Sequence, residues 1–174
     1  MELRGWIVGA TAIVLAAGCS KMPPPMTDAD RAALADSVSQ VVTQTFASLA
    51  QDAAVEKVLS YFVKGNELVS AANGMIFPTY DSLVKVENAE YRPGTKLDVK
   101  FDQKHLTVLD RDVVVFAAIL NGVMKDSAGT AWPVHAAWTA VYHRTSDGWK
   151  IAADHSSVAA PMPAAPAKPR RRAR

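Results

Sequence analysis

Asp154-His155-Ser156-Ser157 brings an acid, an imidazole and two hydroxyls together in four consecutive residues. These types suit base-assisted attack by a hydroxyl, but their spacing decides against it. The stretch follows Trp149-Lys150-Ile151 and reads as the end of a β-strand, where neighbours point to opposite faces. Asp154 therefore does not meet His155, and His155 does not meet Ser156. His155 and Ser157 share a face, yet no third group is placed to orient the imidazole. His155 is expected to be architecture. The other histidines, His105, His135 and His143, are dispersed, and the one cysteine is Cys19, so no cluster has metal-ligand spacing. The nine glycines are scattered and form no phosphate loop. No catalytic residue, metal or cofactor is expected from these patterns.

The elements that would position such residues change character once along the chain. TDADRAALADSVSQVVTQTFASLAQD carries Leu34, Val38, Val41 or Val42, Thr45 or Phe46, and Leu49 at spacings of three and four, an amphipathic helix. Thr27 with Asp30 three residues on gives it a capping box. Asp52 is expected to cap a second helix, AAVEKVLSYF, and a third begins at Pro78, a residue favoured in the first turn. From Lys96 the period becomes two. Leu97, Val99 and Phe101 alternate with polar residues, HLTVL follows, Asp110-Arg111-Asp112 turns, and VVVFAAIL reads as a buried strand. AWPVHAAWTAVYHR then forms a long strand, and Thr145-Ser146-Asp147-Gly148 makes a hairpin into WKIAADHSS. Helices followed by an antiparallel run predict an α+β domain with helices packed on one face of a curved sheet.

The element order, and the closing pattern carried by Thr139, Val141, Tyr142, Asp147, Gly148, Trp149, Ile151, His155 and Ser157, resemble the nuclear transport factor 2-like superfamily. The likeness is to its SnoaL-like branch and to the association domain of calmodulin-dependent protein kinase. It implies a cone-like fold, closed by the helices around a pocket, and pairing through the outer face of the sheet as a homodimer. Pocket candidates are Phe62, Val134, Trp138, Ala140, Tyr142 and Ser156. In the kinase association domain, arginines occupy the places held here by Ala140 and Ser156. Their absence implies a small, neutral, mostly apolar ligand walled by Trp138 and Tyr142, or a module for assembly.

The superfamily also includes ketosteroid isomerases and polyketide cyclases. There a carboxylate takes a proton beside a carbonyl, and a tyrosine or a protonated acid steadies the oxyanion. The matching carboxylate is not evident in this chain. Asp98 and Asp102 lie on the polar side of their strand, and Asp52 and Asp81 sit where helices need caps. Tyr61 and Tyr80 are placed to face the cone. The expectation is therefore a binding domain rather than an enzyme. The alternative is an isomerase, dehydratase or cyclase acting beside a carbonyl, and an Asp or Glu inside the cone with a raised pKa would favour it.

The two ends of the chain concern location. WIVGATAIVLAAG is an uncharged run of thirteen residues after Arg4, too short to span a bilayer of about 30 Å as a helix and suited to a secretory signal. Ala16-Ala17-Gly18 before Cys19 resembles the bacterial lipobox, which implies cleavage before Cys19 and a lipid anchor on its sulfur and amino group. Ser20, rather than an acid, implies sorting to the outer membrane, facing the periplasm. Residues 1–18 are read as the signal peptide, 19–26 as the lipidated tether, 27–158 as the domain, and 159–174 as a disordered basic tail. The tail holds Lys168, Arg170, Arg171, Arg172 and Arg174, whereas residues 19–167 carry thirteen basic and sixteen acidic side chains. The positive net charge thus belongs to the tail, which suits an anionic envelope polymer or lipid. Inside the domain, aromatic and basic residues are not interleaved, and no nucleic-acid partner is expected.

Overall fold

A computed structural model describes residues 24–158. Cys19, the signal segment and the basic tail lie outside the described residues. Three helices, α1 (Asp28–Leu49), α2 (Val55–Leu59) and α3 (Tyr80–Glu90), accompany six strands. These are β1 (Val69–Ala72), β2 (Met75–Phe77), β3 (Lys96–Asp110), β4 (Val113–Lys125), β5 (Ala131–Thr145) and β6 (Gly148–Val158). The strands form one sheet in the order β2-β1-β6-β5-β4-β3. All neighbours are antiparallel except β1 and β6. The result is the α+β cone.

Helix α1 starts where the capping box places it: the Thr27 side chain accepts from Asp30 N–H, and the Asp30 carboxylate accepts from Thr27 N–H. Such a cap contributes about 1 kcal/mol. Its buried stripe is Val38, Val42, Thr45 and Leu49. Phe46 beside that stripe stacks edge-on against Phe101 of β3 and Trp138 of β5, and Phe116 of β4 completes the cluster. Helix α2 is shorter than the expected run to Phe62, because the sheet claims its C-terminal residues. Ile151 N–H donates to Tyr61 C=O, Val63 N–H donates to Ile151 C=O, and Phe62 bridges Ile151 in parallel. Helix α3 begins two residues after Pro78, since Thr79 and Ser82 make a reciprocal cap. The segment HLTVL is no separate strand. It continues β3 beyond a bulge at Gln103, whose φ is +50°.

A second irregularity fixes what the cone contains. Tyr142 pairs with Ile151 and Val141 pairs with Ala153, so Ala152 is an extra residue in β6. A bulge of this kind reverses the alternation beyond it. Trp149 and Ile151 are buried before the bulge. After it the inward places fall to Asp154 and Ser156, paired with Ala140 and Trp138. His155, paired with Thr139, is exposed on the outer face.

Candidate functional site

Helices α1 to α3 and the inner face of the sheet enclose a cavity of about 350 Å³, within the usual range for a small-molecule site. Its walls are mostly apolar and aromatic, from Phe46, Leu49, Tyr61, Phe62, Leu97, Leu120 and Trp138. No lysine or arginine lines it among the described residues, so it offers nothing to neutralise a ligand carboxylate.

Thr45, Asn73 and Ser156 lie on its lining, and the carboxyls in or beside it come from two elements. In α3, Glu87 lies four residues after buried Leu83 and four before Tyr91, on the side turned to the sheet, and both Glu87 and Tyr91 line the cavity. Burial pushes the Glu87 carboxyl up to about 8, and the charges of Glu90 and Asp154 add to that. It is therefore largely protonated at neutral pH. Desolvation also raises Glu90, and it holds the Tyr91 phenol far above its ordinary range, so Tyr91 remains a hydrogen-bond donor.

From β6, Asp154 stands beside the wall. Its Oδ2 accepts from Trp138 Nε1 at 3.1 Å. Burial raises its pKa, against the opposing pull of Ser70 and Trp138. Tyr142 lies beneath it, also raised by burial and by the Asp154 charge. Glu87 Oε2, Asp154 Oδ1 and the Tyr142 hydroxyl are buried without partners, and each such group costs about 1–3 kcal/mol. Three together, electrostatically coupled, mark this cluster as the place where stability is given up. Among the described residues no set of acidic, histidine or cysteine side chains surrounds a common metal position.

Of the six residues expected around the pocket, Phe62, Val134, Trp138 and Ser156 line the cavity. Ala140 and Tyr142 are buried but are not among its lining residues, so the second wall expected from Tyr142 is supplied by Tyr61 and Tyr91 instead. Tyr80 packs on the core. Asp52 accepts from Ala54 N–H, ahead of α2. Asp98 and Asp102 are exposed, and Asp102 accepts from the Asn121 amide on the outer face. The sequence makes no matching carboxylate evident; in the structure Glu87 lines the cavity, and Asp154 is buried beside its wall, bonded to Trp138. Glu87 was legible in part, because it falls on the same helical stripe as Leu83; Asp154 was hidden by the bulge.

A family model described as a SnoaL-like domain matches residues 38–161. No curated protein matches the sequence. Among solved structures, an NTF-2-like protein of unknown function from Shewanella oneidensis is 17% identical, with a TM-score of 0.57, over 71% of this chain and 98% of that one. The association domain of CaMKII from C. elegans is 11% identical, with a TM-score of 0.55, over 74% and 98%. A ketosteroid isomerase-like protein from Erwinia carotovora is 17% identical, with a TM-score of 0.50, over 76% and 96%. At these identities the likeness to solved structures is one of fold.

Proposed function

The chain belongs to the SnoaL-like domain family, and from that premise we propose that its cavity binds a small, neutral, mostly apolar carbonyl compound and moves a proton beside the carbonyl. The observation that carries this reading is Glu87, a carboxyl facing the cavity with a pKa near 8. A general base or acid works best when its pKa lies near the working pH. In the proposed step, ionised Glu87 takes the proton from the carbon next to the carbonyl. The C–H electron pair moves into the enolate, and the Tyr91 hydroxyl donates a hydrogen bond to the enolate oxygen. Reprotonation at the same or a conjugated carbon gives exchange, isomerisation or elimination, according to the substrate. The ketosteroid isomerase-like neighbour is compatible with this chemistry, but the residues carry the argument.

Deuterium incorporation into β-tetralone in D₂O, followed by NMR, tests the reading. Wild-type protein should exchange the protons beside the carbonyl faster than buffer does. Binding without exchange would return the domain to a pure ligand carrier, and neither binding nor exchange would remove the pocket as a carbonyl site.

We place the domain in the bacterial envelope, held by a lipid on Cys19, on the strength of the apolar run and the lipobox-like Ala16-Ala17-Gly18-Cys19. Two acyl signals suffice for stable attachment. Cys19→Ser should abolish incorporation of an alkyne-tagged fatty acid in a bacterial host, and persistent labelling would sink the assignment. Homodimerisation through the outer sheet face is supported by half-buried Val115, Ala117, Ile119 and Val141, which lie side by side across β4 and β5. Sedimentation equilibrium should show a dimer at micromolar concentration; a monomer would exclude that pairing.

A further inference from the structure

The exposed large apolar side chains are not spread evenly. Of the six among the described residues, Trp132 (44% exposed) and Val158 (57%) line the cavity and therefore stand at its mouth. Met75 (55%) is paired with the lining residue Ala72 on the same side of the sheet, whereas Ile76 (70%), in register with Ala71 and His155, lies on the outer face. Pro133 and Met124 extend this rim, Pro133 exposed and Met124 half-buried. An apolar rim around a ligand entrance is unusual for a surface that meets only water.

Charge tells what covers it. Lys125 is paired with Ala131, next to Trp132, and Lys96 is paired with Lys125 across β3 and β4. Arg92 shares a second, shallow hollow with Trp132 and Met124. Of these, only Arg92 shares the indole's side; Lys96 and Lys125, like Ala131, face the other side of the sheet at the same end. The acids facing the indole are Glu90, which is exposed, and Asp126, whose carboxylate accepts from Ala128 and Thr130 N–H. The chain also leaves the described fold at Val158, within the rim. Lys168 is ten residues further on, so the five tail cations begin no more than about 35 Å from the mouth. A tryptophan and apolar rim with a cationic segment following Val158 suits the boundary between lipid head groups and acyl chains. Tail cations attract an anionic leaflet at about 1 kcal/mol each near the surface.

We propose that the cavity mouth docks on an anionic lipid bilayer, with Trp132, Met75 and Val158 entering the head-group boundary. The ligand then passes between membrane and cavity without crossing water, so its class is a membrane-partitioned amphiphile with its carbonyl near the head group. The ligand class rests on the proton-transfer reading; the docking does not.

Quenching by brominated lipids tests the docking. The full chain, isolated with its anchor, is reconstituted on phosphatidylcholine vesicles containing one-quarter phosphatidylglycerol, with bromines near the head-group end of the acyl chains. Part of the tryptophan emission should be quenched. That part should disappear in Trp132→Phe, persist in Trp149→Phe, and shrink several-fold in half-molar salt or with serine at Lys168, Arg170, Arg171, Arg172 and Arg174. If Trp132→Phe disturbs the fold, Met75→Glu with Val158→Glu, leaving Trp132 in place, should produce the same loss. Equal quenching in wild type and Trp132→Phe would overturn the proposal. So would shielding of Trp132 by concentration alone, without vesicles, which would make a second copy the occupant. Stronger quenching after removal of residues 159–174 would overturn it too, by making the tail the cover. Quenching does not depend on exchange chemistry, so loss of β-tetralone exchange with Trp132 still quenched would remove the catalytic reading and leave the docking intact.

Discussion

Glu87→Gln should match the wild type in folding stability to within about 1 kcal/mol at pH 5 and exceed it by about 5 kcal/mol at pH 9. In the folded protein the Glu87 carboxyl titrates at about 8, against an ordinary value of 4.5. The unfolded chain releases this proton from pH 4.5 upward, whereas the folded chain holds it until pH 8. The stability that neutral Glu87 contributes is thus complete below pH 4.5, declines as pH rises, and is gone above pH 8. At about 1.4 kcal/mol per pH unit, that window accounts for the difference. Glutamine resembles the neutral acid in shape and cannot ionise, so it escapes the loss. Glu90 and Asp154 are raised as well, but both proteins carry them, and to first order they cancel from the comparison. Urea unfolding at pH 5, 7 and 9 measures the effect. Parallel stability curves for the two proteins would show that Glu87 meets water in the folded state, and the catalytic argument would fall with it.

Most of the scaffold was legible in local pattern. The stripe from Val38 to Leu49 and the capping box at Thr27 specify α1, because both signals lie within a few residues of their partners. The alternation in β3 and β5 was equally plain, since one face of each strand is buried against the helices, whereas β4, all apolar in VVVFAAIL and read as buried throughout, buries only every second residue. Signals that depend on distant partners were weaker. Helix α2 stops at Leu59 because Ile151, about ninety residues on, takes the backbone of Tyr61 and Val63. The site suffered most from one residue. Straight alternation from Trp149 and Ile151 sends Asp154 to the solvent side, and Ala152, unpaired in the ladder, brings it back into the cone. No side-chain pattern marks that bulge; only the pairing register with Val141 and Tyr142 reveals it. Glu87 reflects a different difficulty. It sits among apolar residues on the buried side of α3, and an acid there reads as a flaw in a short amphipathic pattern until the cavity gives it a purpose.

Glu87→Gln should also lower β-tetralone exchange by about 10²–10⁴-fold on the plateau above pH 8, the usual contribution of a positioned proton-transfer group, with the difference narrowing as pH falls and the wild-type carboxyl protonates. Asp154 should behave differently, because it stands beside the cavity wall while Glu87 faces the ligand space. Wild-type exchange should rise with pH and level off above about 8, as Glu87 becomes ionised. Asp154→Asn removes one of the negative charges that hold the Glu87 proton in place. Glu87 then ionises more readily, so the rising limb should move to lower pH while the plateau changes much less than in Glu87→Gln. A purely structural role for Asp154 would lower the plateau and leave the limb where it was. The reverse result, with exchange abolished in Asp154→Asn and retained in Glu87→Gln, would make Asp154 the reacting base and Glu87 the group that tunes it. The indole of Trp138 provides an independent check, since its Nε1 donates to Asp154 and not to Glu87. Trp138→Phe removes that donor, favours protonated Asp154, and should move the limb in the same direction as Asp154→Asn. Two substitutions on neighbouring strands would then report on one carboxyl in the helix opposite, which is the behaviour of a proton held between α3 and β6.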